Sequence, residues 1–244
     1  MAYKVFNIVL ACIILLAFLS GCINDSTYGQ PPSDLDLVTS ENSPVSYFLP
    51  EPEKSGEISV EEALENRRSR RNFQDTALSA EQLSQILWAA YGISEPVRGL
   101  RTAPSAGALY PLEIYVVIGN VSGIEAGVYK YDARDHKITQ TKSGDIRAEL
   151  SAAALNQAMV RAAPVTVVYT AVFSRIEGRY GERGRERYVY MEIGHSAQNI
   201  YLQTEALGLG TCAIGAFTDS MVSELLTLPP EEEPLYFMPV GYAG

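Results

Sequence analysis

The sequence predicts a single domain that mixes strands and helices, with a leading segment that takes no part in its core. Three observations predict it. Apolar β-branched runs of strand length recur from residue 112 onward, and helical stripes bounded by caps alternate with them. No strand is followed by G-x-G-x-x-G, so the alternation is not that of a Rossmann dinucleotide-binding unit.

The N-terminal residues read as an address label. Lys4 precedes an unbroken apolar run, Ile8 to Leu19, that ends in Leu19-Ser20-Gly21-Cys22. Small residues ahead of a cysteine look like a lipoprotein signal: cleavage leaves Cys22 first in the mature chain, with its thiol available for acylation. The alternative is an uncleaved anchor helix, since the run approaches the roughly 20 residues that span a bilayer. Both readings place the domain on the extracytoplasmic face of the membrane. From Cys22 to about Gly56 the chain is rich in Pro, Ser, Asp and Glu, has few large apolar residues and shows no period. It reads as a tether. The expected organisation is therefore a signal at 1–21, a flexible tether at 22–56 and a folded domain at 57–244.

Within the domain, Ser59-Val-Glu-Glu62 is a capping box opening a short helix to about Arg67, and Ser79-Ala-Glu-Gln82 opens a second helix that Gly92 stops. Leu83, Ile86, Leu87 and Ala90 form the apolar stripe of that second helix. Leu112 to Ile118 reads as a buried strand, followed by an edge hairpin of 128–131 and 137–141 around Asp132-Ala-Arg-Asp135. Val165 to Val172 is another buried strand. The charged stretch Arg175 to Arg187 reads as a solvent-facing loop. A long helix follows from about Arg187 to Leu207, with Ile193, Ala197, Ile200, Tyr201 and Thr204 at helical spacing and Gly208 as its stop. Then come a strand from Thr211 to Phe217, a helix begun by Thr218 or Asp219, and a last strand from Leu235 to Val240.

Charge and composition exclude some chemistry. A net charge of −10 opposes a sequence-independent grip on nucleic acid. Of the three cysteines, Cys12 and Cys22 belong to the leader, which leaves Cys212 alone in the domain, without a disulfide partner and set in an apolar run that favours an inert buried thiol. The two histidines, His136 and His195, have no metal-ligand spacing to one another or to a cysteine.

Against this acidic background, Arg67-Arg-Ser-Arg-Arg71 places four guanidiniums in five residues. Such a cluster suits a phosphate dianion, which fork-shaped donors and a hydroxyl bind well, and it equally suits a helix C-terminus, which favours cations. Pro104-Ser-Ala-Gly-Ala-Leu-Tyr-Pro111 and Gly208-Leu-Gly-Thr-Cys-Ala-Ile-Gly-Ala-Phe217 are runs of small residues beside predicted strands, through which backbone could approach a flat ligand.

Taken in order, R-R-S-x-R-x-F, P-S-A-G-A-L-Y-P, G-H-x-x-Q-N-x-x-L, G-L-G-T-C-A-I-G-A-F and P-V-G-Y resemble the nitroreductase superfamily. Within it the set is similar to the SagB-type branch, whose dehydrogenases oxidise thiazolines and oxazolines in modified peptides. The resemblance spans about Ile58 to Tyr242. It implies an α+β sandwich with a mixed, mainly antiparallel central sheet flanked by helices, an intertwined homodimer and non-covalent FMN. By the same resemblance, Arg67, Arg68 and Ser69 hold the phosphate and ribityl end, and Arg71 approaches the pyrimidine edge. Ser105, Ala106 and Gly107 come from the second copy. Ile214 packs on the ring, and Gly215 and Ala216 present backbone N–H groups near flavin N5.

Arg179 and Tyr180 stand where the azoline-oxidising relatives carry a Lys-Tyr pair near the substrate. Arginine stays protonated near neutrality and cannot replace lysine as a base. Gln198 and Asn199 match the family's helix pattern or satisfy neighbouring polar groups, and His195 reads as a core or interface residue. The implied activity is ping-pong hydride transfer through flavin N5, from NAD(P)H or another donor to a small-molecule or peptide substrate. The alternative is a membrane-anchored lipoprotein that binds flavin or another ligand without turnover.

Overall fold

The computed structural model describes residues 35–38 and 44–244, within one compact unit, Pro31–Gly244. The predicted signal and Cys22 lie outside the described residues. The strands are β1 (Asp36–Val38), β2 (Ser46–Phe48), β3 (Ile93–Glu95), β4 (Leu100–Arg101), β5 (Leu112–Ile118), β6 (Gly127–Asp132), β7 (Lys137–Ser143), β8 (Val165–Val172), β9 (Gly210–Thr211) and β10 (Glu232–Gly241). The helices are α1 (Val60–Asn66), α2 (Ala80–Tyr91), α3 (Arg147–Ala153), α4 (Ala158–Ala162), α5 (Ser174–Arg183), α6 (Val189–Ala206) and α7 (Asp219–Leu226).

Eight strands form one sheet in the order β1-β2-β7-β6-β5-β8-β10-β9, each neighbouring pair antiparallel. Side-chain alternation divides the core into two layers. On β5, Leu112, Ile114, Val116 and Ile118 pack with Leu83, Ile86 and Leu87 of α2 and Ile193, Ala197 and Ile200 of α6. Tyr115 and Val117 point the other way, towards Leu150 of α3, Val160 of α4 and Val222 and Leu226 of α7. Helices thus flank the sheet on both faces: the molecule is an α+β sandwich around a mainly antiparallel sheet.

Both predicted N-caps form. Ser59 accepts from the Glu62 N–H, and Ser79 and Gln82 cap each other reciprocally. Helix α7 carries Thr218 as its N-cap residue, and Gly208, at φ 66°, turns the chain out of α6.

Three segments depart from expectation. Part of the predicted tether is structured: β2 pairs with β7 through Tyr47 opposite Ile138, and Tyr47 and Leu49 are buried. The β6–β7 hairpin is therefore interior to the sheet. Two alternating apolar residues suffice for a strand where a neighbour already offers a ladder, a signal lost in a composition averaged over the whole stretch. His136 secures this segment, its Nε2 lying 2.7 Å from Ser84 Oγ and 3.1 Å from the Pro50 carbonyl, and its Nδ1 2.8 Å from the Tyr131 hydroxyl.

The charged stretch 175–187 is helical, forming α5 and a π-helical turn, Gly184–Tyr188, that runs into α6. Ile176, fully buried, pins α5, while Arg185 bridges Glu177 (3.1 Å) and Glu233 (2.7 Å), and Gly181 (φ 58°, ψ −153°) breaks the helix. Opposite charges at helical spacing had hidden a helix behind a loop-like composition.

Thr211 to Phe217 is mostly not a strand. Only β9 joins β10, and a single bridge, Ile214 to Phe237, follows. The Thr211 and Ala216 carbonyls and the Ala213 N–H find partners outside the sheet.

Candidate active site

At the β9 edge of the sheet the arginine segment lies as a strap. Ser69 bridges Thr211 in parallel, and the Arg70 N–H donates to the Thr211 carbonyl at 2.8 Å. Beyond it, the Gln74 N–H donates to the Tyr242 carbonyl (2.9 Å) and the Gly244 N–H to the Asn72 carbonyl (3.0 Å), which holds the strap between β9 and the end of β10. Tyr201 of α6 joins the two predicted segments. Its hydroxyl lies 3.0 Å from Ser69 Oγ and accepts from the Ala213 N–H at 2.9 Å, and its ring lies 5.1 Å beneath the Arg67 guanidinium.

None of Arg67, Arg68, Arg70 or Arg71 forms an ion pair among the described residues. Arg68 turns back on the helix end, donating to the Glu65 and Arg67 carbonyls at 2.8 Å each, so for this residue the helix-end reading is realised. Arg71 is exposed. Ile214 is buried against Phe237, while Gly215 and Ala216 are exposed next to it, with the Ala216 carbonyl accepting from Gln157 Nε2 at 2.9 Å. Cys212 is fully buried, and burial pushes its thiol up against the opposing pull of Arg71.

The second cluster centres on Ser105, Ala106 and Gly107, the last two within a single 3₁₀ turn, Ala106–Ala108. Gly107 has φ 63°, Ala108 φ 53° and Tyr110 φ 48°. Ser105 Oγ accepts from the Tyr110 N–H at 2.9 Å. A Cβ on Gly107 would lie 2.9 Å from the Tyr180 hydroxyl and 3.1 Å from Arg179 Nη1, so α5 presses both candidate residues directly onto the glycine. The Arg179 guanidinium lies 5.5 Å from the centroid of the Tyr180 ring, which packs edge-on against Tyr188.

Among the described residues no hydrogen bond joins this loop to the strap. The chain thus brings Arg67–Arg71 to Thr211 and Ala213, at the start of the turn that continues to 214–216, and Ser105–Gly107 to Arg179–Tyr180, as two separate clusters.

Beneath the loop is a buried polar core that sequence reasoning missed. Glu192 of α6 is 2% exposed and accepts from the Tyr91 hydroxyl. Burial raises its carboxyl above the ordinary carboxylate range, and the Ser105 hydroxyl, the Tyr91 hydroxyl and the Arg101 charge offset part of that rise. Arg101 stacks 4.2 Å from the Tyr91 ring centroid and 5.0 Å from that of Tyr110.

His195 is exposed in the single chain and so is not a core residue. Asn199 donates to the Thr102 carbonyl at 3.2 Å, the polar-satisfaction role. A groove of about 720 Å³, lined in part by Ile58, Val60, Trp88, Asn199 and Leu202, and a cavity of about 300 Å³ containing Arg101, Glu113 and Lys130, are bordered by none of the predicted cofactor residues. Among the described residues no group of three or more His, Cys, Asp or Glu side chains could hold a metal. Nor is any helix among them long and apolar enough to cross a membrane.

Fold and strap define an α+β sandwich with an open cationic edge beside an exposed backbone turn. Comparison with known proteins then places it: residues 64–242 match the nitroreductase family. The chain is 46% identical over 185 residues to the Methanocaldococcus jannaschii nitroreductase-type protein MJ1384, covering 76% of this chain and 91% of that one. It is 32% identical over 144 residues to the trifolitoxin-processing protein TfxB of Rhizobium leguminosarum bv. trifolii, 57% of this chain and 38% of that one. A crystal structure of a nitroreductase-type protein from Ralstonia eutropha superposes with a TM-score of 0.72 at 28% identity, covering 86% of this chain and 99% of that one. The chain belongs to the nitroreductase family.

Proposed function

We propose that the protein is an FMN-dependent oxidoreductase of the SagB-type branch, tethered by a lipid on Cys22 to the extracytoplasmic face of a membrane, and that it turns over by a ping-pong mechanism. The observation that carries the reading is the strap: four guanidiniums without an acid partner, fixed by Tyr201 beside a turn whose Gly215 and Ala216 are exposed. This donor set fits a phosphorylated flat cofactor. Arg67, Arg68 and Ser69 would hold the phosphate by charge-assisted bonds, Arg71 the pyrimidine edge, and Ile214, Gly215 and Ala216 the ring. When bound, FMN supplies hydride chemistry, while the protein sets binding, orientation and electrostatics.

The separation of the two clusters within one chain supports a homodimer, in which Ser105, Ala106 and Gly107 complete the site of the other copy. The Arg179 guanidinium orients an anionic or polar substrate group, and Tyr180 offers its hydroxyl beside it. A peptide substrate is favoured by the processing proteins among the relatives, TfxB and the microcin B17-processing protein McbC of Escherichia coli, to which the chain is 27% identical over 163 residues. NAD(P)H or another donor delivers the electrons.

Purification of the detergent-solubilised chain, with flavin released by denaturation and identified, tests the cofactor. A colourless protein that takes up no FMN ends the proposal. Stopped-flow mixing with NADH, NADPH and dithionite then tests turnover: reduction by dithionite alone removes the nicotinamides as donors.

A further inference from the structure

The loop that carries Ser105, Ala106 and Gly107 is costly to hold. Three of its residues, Gly107, Ala108 and Tyr110, occupy left-handed φ, and for the two with side chains this costs about 1 kcal/mol or more each. Such a shape persists only where its surroundings over-determine it. Above the loop are Arg179 and Tyr180, the first exposed and the second half-buried. Below it lies an ionisable core that is almost wholly dry. Glu192 is 2% exposed and Tyr91 1%. Tyr91 donates to Glu192 Oε1, while Oε2 has no hydrogen-bond partner.

An orphaned carboxylate oxygen at that depth is expensive unless a nearby donor turns to it. The Ser105 hydroxyl, in the loop above, can take that part. Its Oγ already accepts from the Tyr110 N–H (2.9 Å), so its own hydrogen is free to give, and Tyr110 packs edge-on against Tyr91, the donor to Glu192, with ring centroids 6.1 Å apart. Arg101, over the rings of both Tyr91 and Tyr110, closes the assembly with its Nη1 donating to the Tyr91 carbonyl at 3.2 Å.

We propose that Glu192 is the positioning residue of the Ser105–Gly107 loop: anchored through Tyr91 to α2, it fixes Ser105 from beneath and thereby sets where the loop's backbone meets a ligand. What the loop touches rests on the FMN reading; that Glu192 sets its position does not. Glu192 itself, sealed under the loop, touches neither cofactor nor substrate.

The test uses full-length protein in detergent, as wild type, Glu192→Gln, Ser105→Ala and the double variant. Glutamine keeps the oxygen that Tyr91 uses but loses the carboxylate facing Ser105. FMN affinity is expected to fall about tenfold in Glu192→Gln, the equivalent of one hydrogen bond to a charged group, with a shifted visible spectrum of the bound flavin. Ser105→Ala should lose as much, and the double variant no more than Ser105→Ala alone, because the two residues act as one unit. Losses that simply add overturn the proposal.

Amide exchange across 105–110, measured on the same proteins without flavin, gives the second readout. It should quicken in Glu192→Gln relative to the rest of the domain, and an unchanged rate overturns the proposal whatever the flavin does. If the wild type binds no FMN, the cofactor reading alone fails and exchange still decides the role of Glu192. Should Glu192→Gln not fold, Tyr91→Phe removes only the supporting donor: about a threefold loss of FMN affinity and faster exchange at 105–110 are expected, and no change in either sinks the idea.

Discussion

The strap and the loop are held in opposite ways. The strap is fastened from the outside: backbone bonds to Thr211 and Tyr242, and one tyrosine hydroxyl shared between Ser69 and Ala213, leave its guanidiniums free of acid partners. The loop is fastened from within, over the buried Glu192–Tyr91 pair, with left-handed residues that the strap lacks. A surface fastening fails locally when one link is cut, whereas a buried one couples the loop to the stability of the whole domain.

The sharpest way to break the contrast is a glycine pair. Gly107→Ala places a methyl at left-handed φ and within 2.9 Å of the Tyr180 hydroxyl, so we expect a loss of about 2–4 kcal/mol in chemical unfolding, together with displaced Arg179 and Tyr180 and collapsed activity. Gly210→Ala has no φ penalty, but its methyl meets Arg70 Cβ and Cγ at 2.7 and 2.8 Å and Ala243 Cβ at 3.5 Å; by pushing the strap off β9 it should weaken FMN binding more than it destabilises the domain. Equal unfolding losses would erase the distinction.

Next in size, Tyr201→Phe cuts the outer fastening. Removing a hydroxyl bonded to both Ser69 and Ala213 should lower stability by about 1–2 kcal/mol and FMN affinity about tenfold, with amide exchange at 105–110 unchanged. Exchange that rises there as well would mean that the two clusters are one cooperative unit.

The inner fastening carries a pH signature. Because burial raises the Glu192 carboxyl above its unfolded value of 4.5, the folded state binds the proton more tightly. Its contribution to stability is fully present below 4.5 and is lost as pH rises through the elevated folded value. Subtracting the Glu192→Gln unfolding curve from that of the wild type should reveal this decline, and a difference that is flat with pH refutes it. The smallest effect is expected at Arg185→Ala: its bridges to Glu177 and Glu233 are exposed, and unfolding should shift by no more than about 1 kcal/mol.

Legibility in the sequence follows the same division. Strands β5 and β8 could be read to the residue because both lie buried between helices as runs rich in β-branched and apolar residues, and Ser59 and Ser79 marked their helices by capping chemistry. The α5 helix could not, since its arginines and glutamates look like solvated charge and only Ile176 betrays a buried side. The strap's residues stood out as a charge cluster, but its fastening did not: Tyr201 reads as one more apolar position in a helical stripe until its hydroxyl partners are seen. Glu192 escaped because an acid beside Ile193 is normally solvated. The available signal was its register, three residues after Val189 and four before Ser196, both buried.

The order of the strands has one further consequence. The described chain enters at β1, one margin of the sheet, whereas the arginines lie against β9, the opposite margin. Seven inter-strand steps of about 4.8 Å separate them, roughly 34 Å across the sheet. Any load that enters the described chain at β1 must cross the whole ladder before it reaches the basic rim, so the two margins are mechanically insulated from each other.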